Sequence, residues 1–390
     1  MKIALLTTDN RGPFKDYGAS EPRFGPAPAA LLSGFEGVPD LEVHVISCIR
    51  QPVKSPVKLA GNIWFHSLTV PQTGWMRTGY LGCVRAVRRK LREIKPDLVH
   101  GQGTELESGM CAAFSGYPNV ITLLGVMREM AVLLKARPGS FYWCASLLES
   151  LALRRTFGVL ANSRFTEACI RSRTPRTWLV ANALRKPFFE TPFPELPEAI
   201  TPNRANLRCV VMNIGTITEL KRQNELLDMA EKARAAGANL RLEFVGGVTS
   251  GNACADRFVK RITGLDWVTW HKSLSTEQII SQLDQAAALV HVSEIESFGL
   301  VVAEALARNL KFFGFGVTGV CDIAEGAEGA ELFADGDWAG LQAAMGRWLQ
   351  AGCPRPTMAA ATMRARYHPS VIAAKHLEIY RQVLQNRRAN

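Results

Sequence analysis

Short apolar runs alternate with amphipathic stretches along the first half of the chain. Several of these runs are apolar at odd and even positions alike, which is typical of strands buried on both faces of a parallel sheet. Helical periodicity lies between them, for example at Gly82–Ile94 and Ser140–Arg155. We predict strands at Lys2–Thr8, Leu41–Ser47, Ile63–Leu68, Asp97–Gln102, Asn119–Gly125, Gly158–Ser163 and Trp178–Asn182.

A proline-dense segment interrupts this alternation near the middle of the chain. Four prolines fall within residues 187–197, and such a segment sustains neither a helix nor a central strand. The alternation restarts beyond it, so we interpret the segment as a linker between domains. The further predicted strands are Cys209–Gly215, Arg241–Gly247, Trp267–His271, Ala288–Ser293 and Lys311–Gly316, and the further predicted helices are Arg222–Ala235, Thr276–Ala287, Leu300–Arg308 and Ser370–Gln385.

Strand–helix alternation on both sides of a linker predicts an α/β fold. Because crossovers between parallel strands are right-handed, each half should form a doubly wound, Rossmann-like domain, and the two should face each other across a cleft that binds ligands. A chain of 390 residues is long enough for two such cores. We predict an N-terminal domain at 1–190, a Pro-rich linker at 191–205, a C-terminal domain at 206–365, and a C-terminal helix at 366–390 that could cross back to the first domain.

Charge and cysteine usage narrow the class of protein. The net charge of +11 divides into +9 for residues 1–200 and +2 for residues 201–390, so the N-terminal half suits an anionic partner. Nucleic acid is not expected as that partner, since the sequence has no aromatic–basic platform or recognisable module. The nine cysteines are scattered singly, which argues against a zinc site or a disulfide framework and favours free thiols in a reducing cytoplasm.

The segment from residue 290 to residue 306 carries the sharpest chemical pattern. It is predicted to be a buried strand, a short polar loop, and a helix beginning near Phe298-Gly299. The free N–H groups and the positive dipole end of such a helix suit a diphosphate. Glu296 lies in the loop and Glu304 lies about one and a half turns into the helix. One carboxylate can reach the hydroxyl pair of a ribose and the other a sugar; the alternative is that both are solvated surface charges.

This segment resembles the signature of the retaining family 4 glycosyltransferases (glycosyl transferases group 1), which have the GT-B fold. Glu296 and Glu304 are separated by seven residues, Phe298-Gly299 lies between them, and Ala305 follows. The resemblance implies that the C-terminal domain binds a nucleotide-sugar donor and that the N-terminal domain is the acceptor side. It implies catalytic roles for Glu296 and Lys221, and donor contacts from Glu304, Gly215, Thr216, Arg222, Ser297, Phe298, Gly299, Leu300 and Val301.

A second match lies at residues 213–221, where a predicted strand ends in a glycine turn. The family usually has Gly-Arg-x₄-Lys here, and the two cations contact the diphosphate. Gly215 and Lys221 match this pattern, whereas Thr216 stands in the place of the arginine. Arg222 could supply the missing cation, although a guanidinium and an ammonium differ in geometry. The alternative for Lys221 is a solvated lysine at a helix start.

Further candidates for the acceptor or sugar side rest on weaker matches. Residues 24–27 occupy the place of the family's glycine loop, and residues 318–322 that of its loop beside the donor sugar. Many relatives have a sugar-binding histidine where this chain has Leu124, which cannot donate a hydrogen bond. His100 or Arg128 could substitute, although a lone histidine on a strand is more often a core residue. The candidates are Gly25, His100, Arg128, Gly319 and Asp322.

The resemblance implies transfer of a hexose from a nucleoside-diphosphate sugar, with UDP favoured, to a glycan or lipid-linked acceptor in cell-surface polysaccharide or lipopolysaccharide synthesis. No metal or other cofactor is expected, since no ligand-type spacing is present. The alternatives are a catalytically impaired sugar-nucleotide-binding protein of this fold, suggested by Leu124 and Thr216, and a sugar-nucleotide epimerase.

The protein is expected in the cytoplasm, with a contact to the inner face of the plasma membrane as a further hypothesis. The helix at Gly82–Ile94 has an apolar stripe and several arginines elsewhere, so it could lie on an anionic membrane. The alternative is an ordinary crossover helix with a solvated basic face.

Overall fold

The computed structural model describes residues 1–194, 209–249 and 251–388. The chain divides into two compact units, one formed by Met1–Arg185 with Tyr367–Asn390 and the other by Lys186–Arg366. The predicted linker at 191–205 lies outside the described residues from residue 195 onward.

The first unit is built on an eight-stranded sheet. Its strands are β1 (Lys2–Leu6), β2 (Glu42–Ile49), β3 (Lys58–Ala60), β4 (Ile63–Thr69), β5 (Leu98–Gln102), β6 (Asn119–Leu123), β7 (Gly158–Ala161) and β8 (Thr177–Leu179). Their order is β3-β4-β2-β1-β5-β6-β7-β8, and all neighbours pair in parallel except β3 and β4. Because the strand order reverses between β1 and β5, the sheet is doubly wound as predicted.

Helices cover both faces of this sheet. They are α1 (Pro26–Phe35), α2 (Leu81–Ile94), α3 (Glu107–Ala113), α4 (Met127–Leu133), α5 (Phe141–Arg155) and α6 (Arg164–Ile170). The apolar stripe of α2, which includes Val84, Val87 and Leu91, is buried in a core cluster with Ile121 of β6. This stripe therefore cannot be the membrane contact that the sequence suggested, because it packs against the sheet. Among the helices of residues 1–194, 209–249 and 251–388, none is long and apolar enough to cross a membrane.

The second unit has a six-stranded sheet in which all neighbours pair in parallel. Its strands are β9 (Cys209–Ile214), β10 (Leu240–Val245), β11 (Val268–His271), β12 (Ala288–His291), β13 (Lys311–Phe315) and β14 (Ala330–Phe333), in the order β11-β10-β9-β12-β13-β14. This is the Rossmann order, and it reverses between β9 and β12. The helices are α7 (Pro187–Glu190), α8 (Gln223–Ala235), α9 (Ala253–Ile262), α10 (Thr276–Gln285), α11 (Leu300–Leu306), α12 (Val320–Ala324), α13 (Trp338–Gln350) and α14 (Ala359–Tyr367).

The second unit begins at residue 186, earlier than the predicted start of the C-terminal domain at residue 206. The reason is a buried arginine. Arg308 is fully buried, forms an ion pair with Asp284 at 2.7 Å, and donates hydrogen bonds to the carbonyls of Thr191 and Pro192 at 2.8 and 3.2 Å. These bonds fasten the segment around α7 to the second unit.

The C-terminal helix α15 (Pro369–Arg388) belongs to the first unit. Its residues Ile372, Tyr380 and Val383 share a buried cluster with β1. Helix α1 approaches it closely at Gly34, where a Cβ atom would lie 2.3 Å from the carbonyl oxygen of Pro369. Only glycine permits this approach.

One pair of cysteines departs from the prediction of free thiols. Cys209 at the start of β9 and Cys353 after α13 form a disulfide, with their Cα atoms 6.6 Å apart. The two lie 144 residues apart in the chain, so their proximity is a product of the fold and leaves no local spacing pattern. Cys48, Cys83, Cys111, Cys144, Cys169 and Cys254 remain thiols, as predicted.

Candidate functional site

Three neighbouring strands of the second unit deliver their loops to one edge of the sheet. β12 pairs with β9 on one side and with β13 on the other. The loops that follow these strands, at residues 215–222, 292–299 and 316–319, therefore all begin at the carboxyl edge. In an open α/β sheet, ligands bind at this edge, where the strand order reverses.

A lysine, a glutamate and a histidine meet at this reversal. The ammonium of Lys221, in a single 3₁₀ turn at Glu219–Lys221, contacts Oε1 of Glu296. Nε2 of His291, the last residue of β12, lies 3.0 Å from the same oxygen. His291 is buried, whereas the side chains of Lys221 and Glu296 are 26% and 18% exposed. The ion pair is therefore accessible to solvent, and the histidine contacts Glu296 from the buried side.

The pKa of the Glu296 carboxyl is set by opposing effects. Burial raises this pKa, but the hydrogen bond with His291 and the charge of Lys221 outweigh burial and lower it to about 2. Glu296 is therefore an anion throughout the physiological pH range, which fits a residue that accepts hydrogen bonds from hydroxyl groups.

The loop after β13 holds the backbone of Glu296. The Thr318 hydroxyl accepts a hydrogen bond from the Glu296 N–H at 2.8 Å and donates one to its carbonyl at 2.6 Å. The N–H of Gly319 donates to the same carbonyl at 2.9 Å. A Cβ atom at Gly319 would lie 2.3 Å from the carbonyl oxygen of Ser297. The predicted site residue Gly319 thus lies against the Glu296 loop, and its missing side chain allows this contact.

The turn that carries Lys221 is joined to the loop after β12. The N–H of Glu294 donates to the carbonyl of Leu220 at 2.8 Å. The buried Ser293 hydroxyl donates to the same carbonyl at 3.2 Å. Gly215 lies beside the alkyl chain of Lys221, whose Cδ would be 3.6 Å from a Cβ atom at that glycine. Hydrogen bonds and packing together fix the position of the lysine.

The second cation expected beside Lys221 has other partners. Thr216 is exposed and carries no charge. Arg222 has a left-handed backbone with φ +54°, and its guanidinium lies 2.5 Å from Asp335 and 3.9 Å from Glu294. A phosphate that used Arg222 would therefore compete with two carboxylates.

Helix α11 begins at Leu300, the first residue of the predicted helix Leu300–Arg308, and ends two residues early, at Leu306. Gly299 precedes it with φ +98°, a left-handed conformation that favours glycine. Phe298 is buried, and the predicted donor contacts Ser297, Leu300 and Val301 are half-buried. Glu304 is buried on α11, and Asp322 is half-buried on the short helix α12.

The candidates in the first unit divide into core and surface residues. His100 is fully buried, with Nδ1 2.5 Å from the Tyr380 hydroxyl and Nε2 2.7 Å from Thr122 Oγ1. Burial holds its pKa well below the ordinary value. His100 is therefore a core residue, which was the alternative interpretation, and not a sugar contact. Arg128 is exposed on α4, whereas Gly25 has φ −61° and space for a Cβ atom, so its position does not require glycine.

The sequence reasoning missed a carboxylate near Leu124. A Cβ atom on Gly103 would lie 2.2 Å from Oε2 of Glu105 and 3.5 Å from Cδ1 of Leu124, so both side chains lie beside this glycine. Burial raises the pKa of Glu105 to about 7. A polar group therefore lies near Leu124, at the position where the resemblance implied a histidine. No metal site accompanies these groups: the described parts of the chain contain no cluster of three or more His, Cys, Asp or Glu residues that could hold a metal ion.

The chain is similar to known proteins in sequence over part of its length and in overall structure. Residues 202–366 match the family model of the glycosyl transferases group 1. A sucrose-phosphate synthase from Thermosynechococcus elongatus has a similar structure, with 17% identity, a TM-score of 0.73, and 99% of this chain and 100% of that chain covered. HepE from Anabaena, in complex with UDP-glucose, gives 17% identity, a TM-score of 0.70, and 98% and 100% coverage.

A third similar structure is described as trehalose-6-phosphate from E. coli bound with UDP-2-fluoro glucose; it gives 11% identity, a TM-score of 0.68, and 98% and 99% coverage. No curated protein sequence is significantly similar to the chain. At these identities the structures establish the fold, which confirms the predicted pair of Rossmann-like domains. The matched family model and this fold together identify a glycosyltransferase.

Proposed function

Since a glycosyl transferases group 1 domain occupies residues 202–366, we propose that the chain is a retaining family 4 enzyme that transfers a hexose from a UDP-sugar. The proposed acceptor is a hydroxyl of a glycan or lipid-linked saccharide in cell-surface polysaccharide or lipopolysaccharide synthesis, on the cytoplasmic side. The observation that carries the proposal is the contact of Lys221 with Glu296 at the strand-order reversal of the second sheet. The complexes of HepE and the E. coli protein with UDP-sugars support the choice of nucleotide.

The chemistry needs a positive group where the diphosphate departs. The bond between the anomeric carbon and the phosphate oxygen breaks, and the acceptor oxygen bonds to that carbon on the same face. The acceptor's proton passes to the departing phosphate. Negative charge grows on the diphosphate, and the ammonium of Lys221 stabilises it in a partly water-excluded position. The first N–H groups of α11, at Leu300 and Val301, are proposed as further donors.

Glu296 would act on the sugar. Its carboxylate accepts hydrogen bonds from sugar hydroxyls and favours the positive charge that develops at the anomeric carbon. His291 and Lys221 keep it ionised, so this role does not depend on a change of protonation. Glu304, buried on α11, would bind the ribose. We propose that no metal or other cofactor takes part.

A panel of UDP-, GDP- and ADP-sugars tests the proposal with the purified chain in EDTA. We would measure nucleoside-diphosphate release, thermal stabilisation by each donor, and the anomeric configuration of the product by NMR. Lys221→Met, Glu296→Gln and Glu304→Ala should each lower release, Lys221→Met by about 100-fold or more. Lys232→Met, on an exposed position of α8, is the matched control and should leave release unchanged.

The outcomes separate the proposal from its main alternative. Release from one donor with retention, lost in the variants, supports the transferase. A product of inverted configuration would refute the retaining mechanism. A donor that stabilises the chain but releases no nucleoside diphosphate, even with candidate acceptors, would favour a sugar-nucleotide-binding protein. Two observations support this alternative: Thr216 carries no charge, and Arg222 already has two acidic partners. No response to any donor would contradict both.

A further inference from the structure

The outer face of α5 is apolar although it faces solvent. Trp143, Leu147 and Leu151 follow one another at intervals of four residues and therefore form one line along the helix. Their side chains are 37%, 51% and 46% exposed. The opposite face, which includes Ala145 and Leu153, is buried. A helix that is apolar on both faces normally has partners on both, so the outer face of α5 lacks a partner within the described part of the chain.

Exposed apolar side chains are concentrated in and just before this helix. The described residues contain fourteen exposed large apolar side chains, and six of them lie within residues 132–151, which shows clustering and not the usual scatter. Three of the six precede the line on α5: Val132 near the end of α4, Leu134 just after it, and Phe141 at the first position of α5. We call these six residues the α4–α5 surface; they are Val132, Leu134, Phe141, Trp143, Leu147 and Leu151.

The exposed charges around this surface are all positive. Lys135 and Arg137 precede α5, and Arg154 and Arg155 end it; all four are exposed. The single acidic residue between positions 130 and 155 is Glu149. It is fully buried, and its carboxylate accepts hydrogen bonds from Thr104 Oγ1, the Met127 N–H and Arg173 at 3.0, 2.8 and 3.0 Å. Glu129 on α4 is half-buried, so the surface combines apolar side chains with an excess of exposed positive charge.

The positive charge continues onto α2. Arg88 of α2 and Arg155 of α5 line one surface depression of about 350 Å³, together with Phe114 and Tyr117. The guanidinium of Arg155 lies 4.6 Å from the ring centre of Phe114. Two guanidinium groups beside aromatic rings suit an anionic headgroup.

We propose that the α4–α5 surface docks on a lipid bilayer that contains anionic headgroups. Its apolar side chains enter the boundary between headgroups and acyl chains, while the flanking lysine and arginines contact the negative headgroups. A tryptophan and a phenylalanine among the six suit this boundary region. A second copy of the chain fits less well, because a two-fold contact would place two sets of like charges against each other. The inference is independent of the proposed transferase reaction.

Vesicle flotation of the full chain tests this surface. Vesicles of phosphatidylcholine alone would be compared with vesicles that contain about 30% phosphatidylglycerol. Leu147→Gln/Leu151→Gln should weaken binding to the anionic vesicles by about tenfold or more. Lys135→Gln/Arg137→Gln should weaken it to a similar degree, and added salt should weaken wild-type binding. Val57→Gln, at another exposed apolar position of the first unit, is the matched control and should bind like wild type.

All substituted side chains are exposed, so the variants should unfold at the wild-type temperature, and a thermal melt checks this. Binding to anionic vesicles that is lost in the two double variants and kept in Val57→Gln supports the proposal. Absence of wild-type binding to either vesicle would overturn it, as would binding that Leu147→Gln/Leu151→Gln leaves unchanged. Self-association that the same double variant abolishes, without vesicle binding, would overturn it in favour of a second copy.

Discussion

Replacing Gly319 with alanine tests how the loops at the end of the second sheet control the site. A Cβ atom there would lie 2.3 Å from the Ser297 carbonyl oxygen and 2.8 Å from Cα of Phe298, whereas ordinary contacts begin near 3.4 Å. The atoms it meets are backbone, so a side-chain rotation cannot relieve the clash. The loop that carries Glu296 must therefore move by about 1 Å.

The displacement should affect activity far more than folding. Inserting a methyl group into a packed position costs about 1–3 kcal/mol, which a folded domain can tolerate. The N–H of Gly319 and the Thr318 hydroxyl both bind the Glu296 carbonyl, so the shift passes directly to the glutamate. A misplacement of about 1 Å near the reacting atoms can reduce the rate by about 100-fold. We expect a loss of that size in Gly319→Ala.

The assay compares two glycine-to-alanine variants of the same unit. Gly346 lies within α13, and no atom lies within 4 Å of the Cβ atom that alanine would add. Gly346→Ala should therefore stabilise the protein by about 0.5–1 kcal/mol and leave activity unchanged. Nucleoside-diphosphate release and urea unfolding would be measured for both variants. Wild-type release in Gly319→Ala would refute the reasoning, because the contact would then have relaxed without moving Glu296.

Three further substitutions test the electrostatics of the buried groups. Burial raises the pKa of Glu107 from an ordinary 4.5 to about 7, so the free energy of unfolding falls as pH rises between these values. Glu107→Gln should therefore raise the free energy of unfolding by up to about 3 kcal/mol near pH 8 and leave it unchanged below about pH 4.5. An equal increase at both pH values in urea unfolding would contradict this. His291→Phe removes the hydrogen bond that lowers the pKa of Glu296, so the acid limb of the activity–pH profile should move to higher pH, and an unmoved limb would count against that role. Arg308→Met leaves the Asp284 carboxylate without its guanidinium and should cost about 3–5 kcal/mol in urea unfolding; a loss below about 1 kcal/mol would show that the pair matters little.

The sequence was most informative about the strands. Every predicted strand is present, and most of them are largely buried, which leaves a strong apolar pattern. The two strands that were not predicted, β3 and β14, have three and four residues and are partly exposed, so they carry no such pattern. Several predicted strands also end too late: Lys2–Thr8 is observed as Lys2–Leu6 and Ala288–Ser293 as Ala288–His291. The polar residues at these ends begin the loops that form the carboxyl edge.

The candidate site was partly predictable for the same reason. Lys221 and Glu296 lie in loops next to recognisable strands, and their motifs identify them. His291 had a usable signal that we overlooked, since a histidine at the end of a buried strand points to the edge where ligands bind. Thr318 had no comparable signal, because its role is to bind the backbone of a residue 22 positions away. Such a contact depends on how two loops meet, and no local pattern encodes that.

The strand order explains how an ion pair between residues 75 positions apart forms at the proposed donor site. β9 and β12 are neighbours, and the Asn213 side chain near the end of β9 donates to the Val290 carbonyl of β12 at 2.9 Å. This hydrogen bond holds the starts of the two loops together. A diphosphate that draws the ammonium of Lys221 toward itself would remove one of the two groups that lower the pKa of Glu296. The hydrogen bond from His291 to the same carboxylate oxygen remains, so Glu296 would stay ionised while the lysine turns to the phosphate. In the proposed reaction, His291 would therefore allow Lys221 and Glu296 to act on different parts of one donor.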